Sequence, residues 1–166
     1  MGLEIERRFL VKGEEWKQNA QNCQKIRQGY IVSSIKDWTV RVRIIEKDQA
    51  WLTLKSPAKG ISCNEFEYLI PKEDALELWE LASNKLTKTR YKLNLQGGDW
   101  IIDCFEGNNY PLVIAEVELT SIKQKVKPPS WCFLEVTKYK QLSNAALAER
   151  PISDWSKEDL MTINLN

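Results

Sequence analysis

The chain has 166 residues, with 24 Lys or Arg against 23 Asp or Glu, a formal charge of +1 and no histidine. That length suits one domain with a substantial core, the near-neutral balance gives no global field to draw nucleic acid or an anionic membrane, and the missing histidines remove the commonest general base and imidazole metal ligation. No apolar run approaches the ~20 residues of a membrane span, and the chain turns acidic at Glu4 rather than basic then apolar, so a soluble cytoplasmic protein is expected.

The chain opens on Leu3-Glu4-Ile5-Glu6-Arg7-Arg8-Phe9-Leu10-Val11, a strand-like run in which Glu4, Glu6 and Arg8 alternate and so share one face. A helix is expected over Glu14 to Asn22. Enrichment in β-branched and aromatic residues predicts strands at 28–35, 38–46, 50–56 and 64–70, with turns at Asp48-Gln49 and across Ser56-Pro57-Ala58-Lys59-Gly60. A helix is predicted over Lys72 to Asn84, where Ala75, Leu78, Trp79 and Ala82 make an apolar stripe that should pack outside the sheet. Strands follow at 87–95, 99–106, 112–119 and 132–138, the first two joined by the turn Gln96-Gly97-Gly98-Asp99. Residues 140–166 read as a C-terminal helical segment, with short helices at Asn144 to Glu149 and near Ser156 to Met161. With no repeat and no linker, 1–166 is one domain. Cys23, Cys63, Cys104 and Cys132 are too widely spaced for a CxxC metal site and read as buried free thiols. The scattered tryptophans read mostly as packing residues, with Trp38 beside the arginine pair.

The polar positions of these strands are unusual. Arg41 and Arg43 oppose Val40, Val42 and Ile44; Thr53 and Lys55 oppose Leu52 and Leu54; Glu65 and Glu67 oppose Phe66 and Tyr68. Lys88 and Arg90 form a further alternate pair, Asp103 opposes Ile102 and Cys104, and Glu116 and Glu118 oppose Ala115, Val117 and Leu119. A half-exposed sheet with its charged face in water explains any one strand. Taken together, the near-exclusive use of Arg, Lys and Glu, with helix stripes to cover the apolar faces, points to a barrel whose interior is a charged tunnel.

Glu4-Ile5-Glu6-Arg7-Arg8 resembles the ExExK signature of the CYTH proteins, also called triphosphate tunnel metalloenzymes, with arginine at the lysine position. Gln28-Gly29-Tyr30, Arg41-Val42-Arg43, Thr53-Leu54-Lys55, Glu65-Phe66-Glu67, Lys88-Thr89-Arg90-Tyr91, Asp103, Glu116-Val117-Glu118 and Glu135-Val136-Thr137 follow in family order. The resemblance implies a mainly β, α+β fold: an eight-stranded antiparallel barrel with helices packed outside, a triphosphate inside it and divalent-metal-dependent chemistry. The C-terminal segment, with Tyr139 and Leu147-Ala148, resembles the family's terminal helical region, which can close one tunnel mouth.

The residue chemistry agrees with that resemblance. Arg8, Arg41, Arg43, Lys55, Lys88 and Arg90 suit a phosphate clamp through charge-assisted hydrogen bonds, with Tyr30 a further substrate contact, although Gln28-Gly29-Tyr30 also reads as a plain strand start. Glu4, Glu6, Glu116 and Glu118 suit Mg²⁺ or Mn²⁺, hard cations that take oxygen ligands and bridge carboxylate to phosphate; Glu65, Glu67 and Asp103 are second choices and equally read as structural counterions. Glu6, Glu118 and Lys88 are the candidate catalytic residues. The expected activity is metal-dependent hydrolysis of tripolyphosphate, or another organic or inorganic triphosphate, by a monomer or homodimer without a nucleic-acid or membrane partner. Alternatives are a class IV-type adenylate cyclase, a thiamine or nucleoside triphosphatase and, in a different class, a non-catalytic polyphosphate-binding module. Arginine at position 8 swaps a compact ammonium for a planar fork, which puts phosphate position and rate in question.

Overall fold

Nine strands organise the chain: β1 Gly2–Val11, β2 Ala20–Val32, β3 Thr39–Ile45, β4 Gln49–Lys55, β5 Ser62–Leu69, β6 Asn84–Leu93, β7 Asp99–Phe105, β8 Val113–Glu118 and β9 Cys132–Glu135. The structure, a computed structural model, describes residues 2–33, 37–45 and 49–165, so Asp48 of the expected turn and the strand ends expected at 34–35 and 46 lie outside the described residues. Neighbours run β5-β4-β3-β2-β6-β7-β8-β1, every pair antiparallel, and β5 returns to pair with β1. Eight strands thus close into a barrel. β1 completes the closure by dividing one edge between two partners: Gly2–Ile5 pair with β5 and Phe9–Val11 with β9, while Glu6–Leu10 pair with β8 on the other edge.

Closure turns a two-residue alternation into an inside and an outside. Val42, Ile44 and Ala50 face outward and are covered by α1, Lys72–Leu81, through Ala75, Leu78 and Trp79, as the stripe requires. Gly29 makes that contact possible: a Cβ there would lie 2.9 Å from Ala82 Cβ and 3.2 Å from Val42 Cγ1. Its role is close approach of the helix rather than a bend. Ile5, Phe9, Trp100, Ile102, Ala115 and Val117 form a second outer cluster with Trp16 and Trp131.

One expectation along the chain needs correction. The helix expected over Glu14 to Asn22 is only a 3₁₀ turn at Glu15–Asn19, and β2 begins at Ala20 because Ala20–Gln24 pair with Leu93–Arg90 of β6; that ladder outweighs the local helical pattern. α1 packs outside the barrel as expected, and the C-terminal segment takes a place at a barrel mouth, as the resemblance allows.

That segment closes one end of the barrel. It carries a 3₁₀ turn at Lys140–Leu142, α2 at Asn144–Glu149 and α3 at Lys157–Thr162. Ser143 caps α2, accepting from Ala146 N–H, and Ser156 with Asp159 forms a capping box on α3. Leu142, Leu147, Ile152, Trp155 and Ile163 pack on Leu10, Tyr30, Leu86, Phe105 and Ile114, which belong to the inward-facing rows of five adjacent strands. Asn109, buried before β8, fastens this plug: its Nδ2 donates to Leu147 O at 3.0 Å and its Oδ1 accepts from Ile152 N–H at 3.0 Å.

Asn109→Ala would leave both backbone groups buried without partners, which costs about 2–4 kcal/mol in total. Thermal unfolding should show it as a fall in Tm of roughly 5–12 °C.

Candidate active site

One step along each strand from the apolar floor, the interior becomes charged: Arg8 follows Leu10, Lys88 follows Leu86, Asp103 follows Phe105 and Glu116 follows Ile114. These groups are shielded by the plug at one end. Toward the other end Glu118, Asp99, Lys92 and Gln24 are exposed, so the site opens on a single side.

The cationic wall lies on β3, β4 and β6. Arg41 Nη2 donates to Thr53 Oγ1 at 3.1 Å and to Glu67 Oε1 at 3.3 Å, and Arg43 Nη1 donates to the same Glu67 oxygen at 3.2 Å. Lys55 Nζ pairs with Glu4 Oε2 and with Glu65 Oε2, the latter at 3.3 Å. Burial, then repulsion by Arg41 and Arg90, pushes the Arg43 guanidinium down to about 10. Burial also opposes the Lys55 charge, but Glu6, Glu4 and Glu65 outweigh it and hold its pKa above the ordinary lysine value. Burial first and then its cationic neighbours oppose the Arg43 charge, although Glu67 accepts from it.

The acidic wall is the reverse. Glu6 and Glu118 sit directly opposite across β1 and β8, and Asp99 continues the row on β7. Like charges so paired destabilise a sheet unless a cation joins them. Burial, then Asp103 and Glu6, raises the Glu116 pKa; burial, then Glu4 and Asp99, raises that of Glu118. Among the described residues no three His, Cys, Asp or Glu side chains gather into a ready-made metal cage. The donors still fit a Mg²⁺-like ion, which is characteristically held by one or two carboxylates plus substrate phosphates and water.

Between the walls lies a buried ion-pair triad. Asp103, with no solvent exposure, accepts from Arg90 Nε and Nη2 at 2.7 Å each and from Lys88 Nζ at 2.6 Å. Arg90 Nη2 also reaches Glu116 Oε2 at 3.2 Å. Lys88 donates a second bond, 2.7 Å, to Asn144 Oδ1 of the plug, and burial pushes it down to about 8 because it shares its one carboxylate with Arg90. Arg8 is also turned toward the plug, donating to Leu142 O at 2.8 Å and Thr137 O at 3.4 Å, with Glu6 at 3.7 Å.

The barrel therefore gathers every candidate clamp and metal residue onto one inner surface, including Tyr30, whose ring joins the floor while its hydroxyl lies beside Arg41. Glu65, Glu67 and Asp103 are each paired with an arginine of the cationic wall in this arrangement. Asn144 carried no signal that set it apart as a site residue, and Thr53, on the polar face with Lys55, was not among the candidate site residues. Cys63 belongs to the inner surface as well, its thiol donating to Glu4 Oε2 at 3.1 Å, whereas Cys23 is exposed rather than buried. Trp38 faces away from the arginines, stacked on Phe66 at 6.3 Å outside the barrel.

The sequence pattern of the CYTH domain family matches residues 2–150. An inorganic triphosphatase of Acetivibrio thermocellus is 40% identical over 159 residues, covering 95% of this chain and 100% of that protein. One from Nitrosomonas europaea is 34% identical over 149 residues, covering 87% and 96% respectively. A crystal structure of an inorganic triphosphatase superposes with a TM-score of 0.64 at 33% identity, over 87% of this chain and 97% of its own.

Burial opposes the charge of Asp103, but Arg90 and Lys88 overcome it and hold its carboxyl well below the usual aspartate range. A carboxyl depressed in the folded state stabilises the fold fully above the unfolded value, about 3.9, and that contribution is lost as pH falls through the folded one. Asp103→Asn should cost about 3–5 kcal/mol at neutral pH, leaving two buried cations short of charge. Urea titrations from neutral to acid pH should also show a shallower loss of stability below about pH 4 in the variant.

Proposed function

Because this chain belongs to the CYTH domain family, we propose that it hydrolyses tripolyphosphate to pyrophosphate and phosphate with Mg²⁺ or Mn²⁺. The observation that carries this reading is the pair of walls, cations on β3, β4 and β6 and carboxylates on β1 and β8, facing one another in an interior sealed at one end. A triphosphate carrying a divalent cation complements both walls at once. The relatives named inorganic triphosphatases, at 40% and 34% identity, support the same substrate.

In this reading Arg41, Arg43, Lys55 and Arg90 bind phosphate oxygens, Tyr30 adds a neutral donor, and Arg8 fixes the inner end. Glu4, Glu6, Glu116 and Glu118 hold the cation, and Glu65, Glu67 and Asp103 serve as counterions. When bound, the cation supplies Lewis acidity toward the phosphate oxygens and the attacking water. Glu6 or Glu118 orients that water by accepting its hydrogen bond. That carboxylate takes the water's proton, and Lys88, held by Asp103 and Asn144, adds its charge at the inner end. The water oxygen bonds the terminal phosphorus in line as the bond to the bridging oxygen breaks, and pyrophosphate leaves.

Release of phosphate and pyrophosphate from tripolyphosphate, compared with ATP in Mg²⁺, Mn²⁺ and chelator, tests the assignment. Fast release that needs the metal, with slow ATP turnover, is expected. Cyclic AMP from ATP would move the protein to the cyclases, and tight binding without turnover would make it a binding module. Glu118→Gln should abolish metal-dependent turnover and also shrink the rise in Tm that Mn²⁺ alone gives the wild type, a binding readout independent of activity. As Lys88 loses its charge through about pH 8, KM for tripolyphosphate should rise, and Lys88→Arg, which stays protonated, should not show that rise.

A further inference from the structure

The buried side-chain polar atoms that lack a hydrogen-bond partner among the described residues are Gln28 Nε2 and Oε1, Tyr30 Oη, Arg41 Nε, Arg43 Nε and Glu65 Oε2. All but the last lie on a single patch. Gln28 and Tyr30 are alternate residues of β2, both pointing inward, and β3 places Arg43 opposite Gln28 and Arg41 opposite Tyr30. Glu65 Oε2 has the Lys55 ammonium beside it at 3.3 Å, so the patch alone is uncompensated.

Gln28 is the outlier within it. The arginines have carboxylates at their Nη atoms, and Tyr30 contributes its ring to the floor. Gln28 has no solvent exposure and neither amide atom is bonded, beside Leu86 on one strand and Arg43 on the other. A buried amide left unpaired is costly, and an apolar residue of the same shape would serve packing better. The unpaired groups here are mostly donors: the Gln28 amide N–H groups, the Tyr30 hydroxyl and two guanidinium N–H groups. A ligand that satisfies them is rich in acceptor oxygens and negatively charged.

Resting on the triphosphatase reading, we propose that Gln28 is a substrate-binding residue that donates from Nε2 to an oxygen of the phosphoryl group seated deepest in the barrel, with Tyr30, Arg41 and Arg43 completing that subsite. Its neutral amide places a directional donor where a further cation would add to the repulsion already pressing on Arg43. The amide Oε1 is left to accept from the Tyr30 hydroxyl, from a guanidinium N–H or from a proton on that phosphoryl group. Because the plug covers the floor beyond Tyr30, the subsite takes an unesterified phosphoryl end and has no room for a nucleoside behind it.

The test is Gln28→Met, close in shape and without the amide, with Gln28→Leu as a second apolar variant. Thermal unfolding of the free protein, calorimetric binding of tripolyphosphate in chelator and steady-state turnover are measured on both and on the wild type. Binding and kcat/KM should fall about 10- to 100-fold, the loss of one hydrogen bond to a charged group. Tm of the free protein should hold or rise. That opposition separates a ligand contact from a structural one, since a packing role would lower Tm together with activity. Wild-type binding and turnover in both variants, or a loss of activity that only follows a fall in Tm, would overturn the role of Gln28 while leaving the triphosphatase reading intact. Failure of the wild type itself to hydrolyse tripolyphosphate with Mg²⁺ or Mn²⁺ would overturn both.

Discussion

Barrel closure is the constraint on which the rest depends. An open sheet can leave its polar face in water, and each strand here would be unremarkable in that setting. Once β5 pairs back onto β1, the same alternation forces those polar positions into a common interior, and the plug removes water from one end of it. Charges held there cannot be screened as surface charges are, so each is set by its neighbours. Lys88 near 8, Arg43 near 10 and the raised Glu116 all follow from that one enclosure.

The plug takes part in the site as well as sealing it. Leu142 O holds the Arg8 guanidinium and Asn144 Oδ1 holds the Lys88 ammonium, so two cations of the expected clamp are fixed by residues that follow the last strand. Arginine at position 8 acquires a rationale here: a planar fork can address Leu142 O and Thr137 O together while its Nε stays near Glu6. Its contribution to phosphate binding is then the positive field it sets at the inner end.

Most of this was legible in the sequence because the period-2 pattern is a local property. Arg41 and Arg43 against Val42 and Ile44, or Glu116 and Glu118 against Val117, state which way each side chain points once the strand exists, and the ordered resemblance supplied the closure that alternation cannot. What escaped depends on contacts distant in the chain. β2 starts at Ala20 because β6 lies beside it, which no window around Glu14 to Asn22 contains. Asn144 stands 56 positions from Lys88, and its short helix looks like any other polar N-terminus. Gln28 was read with Gly29 and Tyr30 as a strand start. Its meaning lies in the partners it lacks, and only three-dimensional neighbours can reveal that.

In the proposed reading, the ion pairs across the barrel would make the binding of anion and cation interdependent. Lys55 to Glu4 and Arg90 to Glu116 join the cationic wall to the acidic one. A phosphate taking Lys55 and Arg90 releases Glu4 and Glu116, two of the carboxylates that suit a metal. A divalent cation taking those carboxylates releases the two cations for phosphate. Phosphate alone would leave Glu4 and Glu116 without those partners in a poorly solvated interior, which is costly, whereas Lys55 and Arg90 keep Glu65 and Asp103 when a cation takes the carboxylates. Whichever binds first therefore raises the affinity for the other by the same factor, a reciprocity that thermodynamic linkage requires. Metal dependence in such a site would originate in the exchange of partners across the barrel as much as in the chemistry at phosphorus.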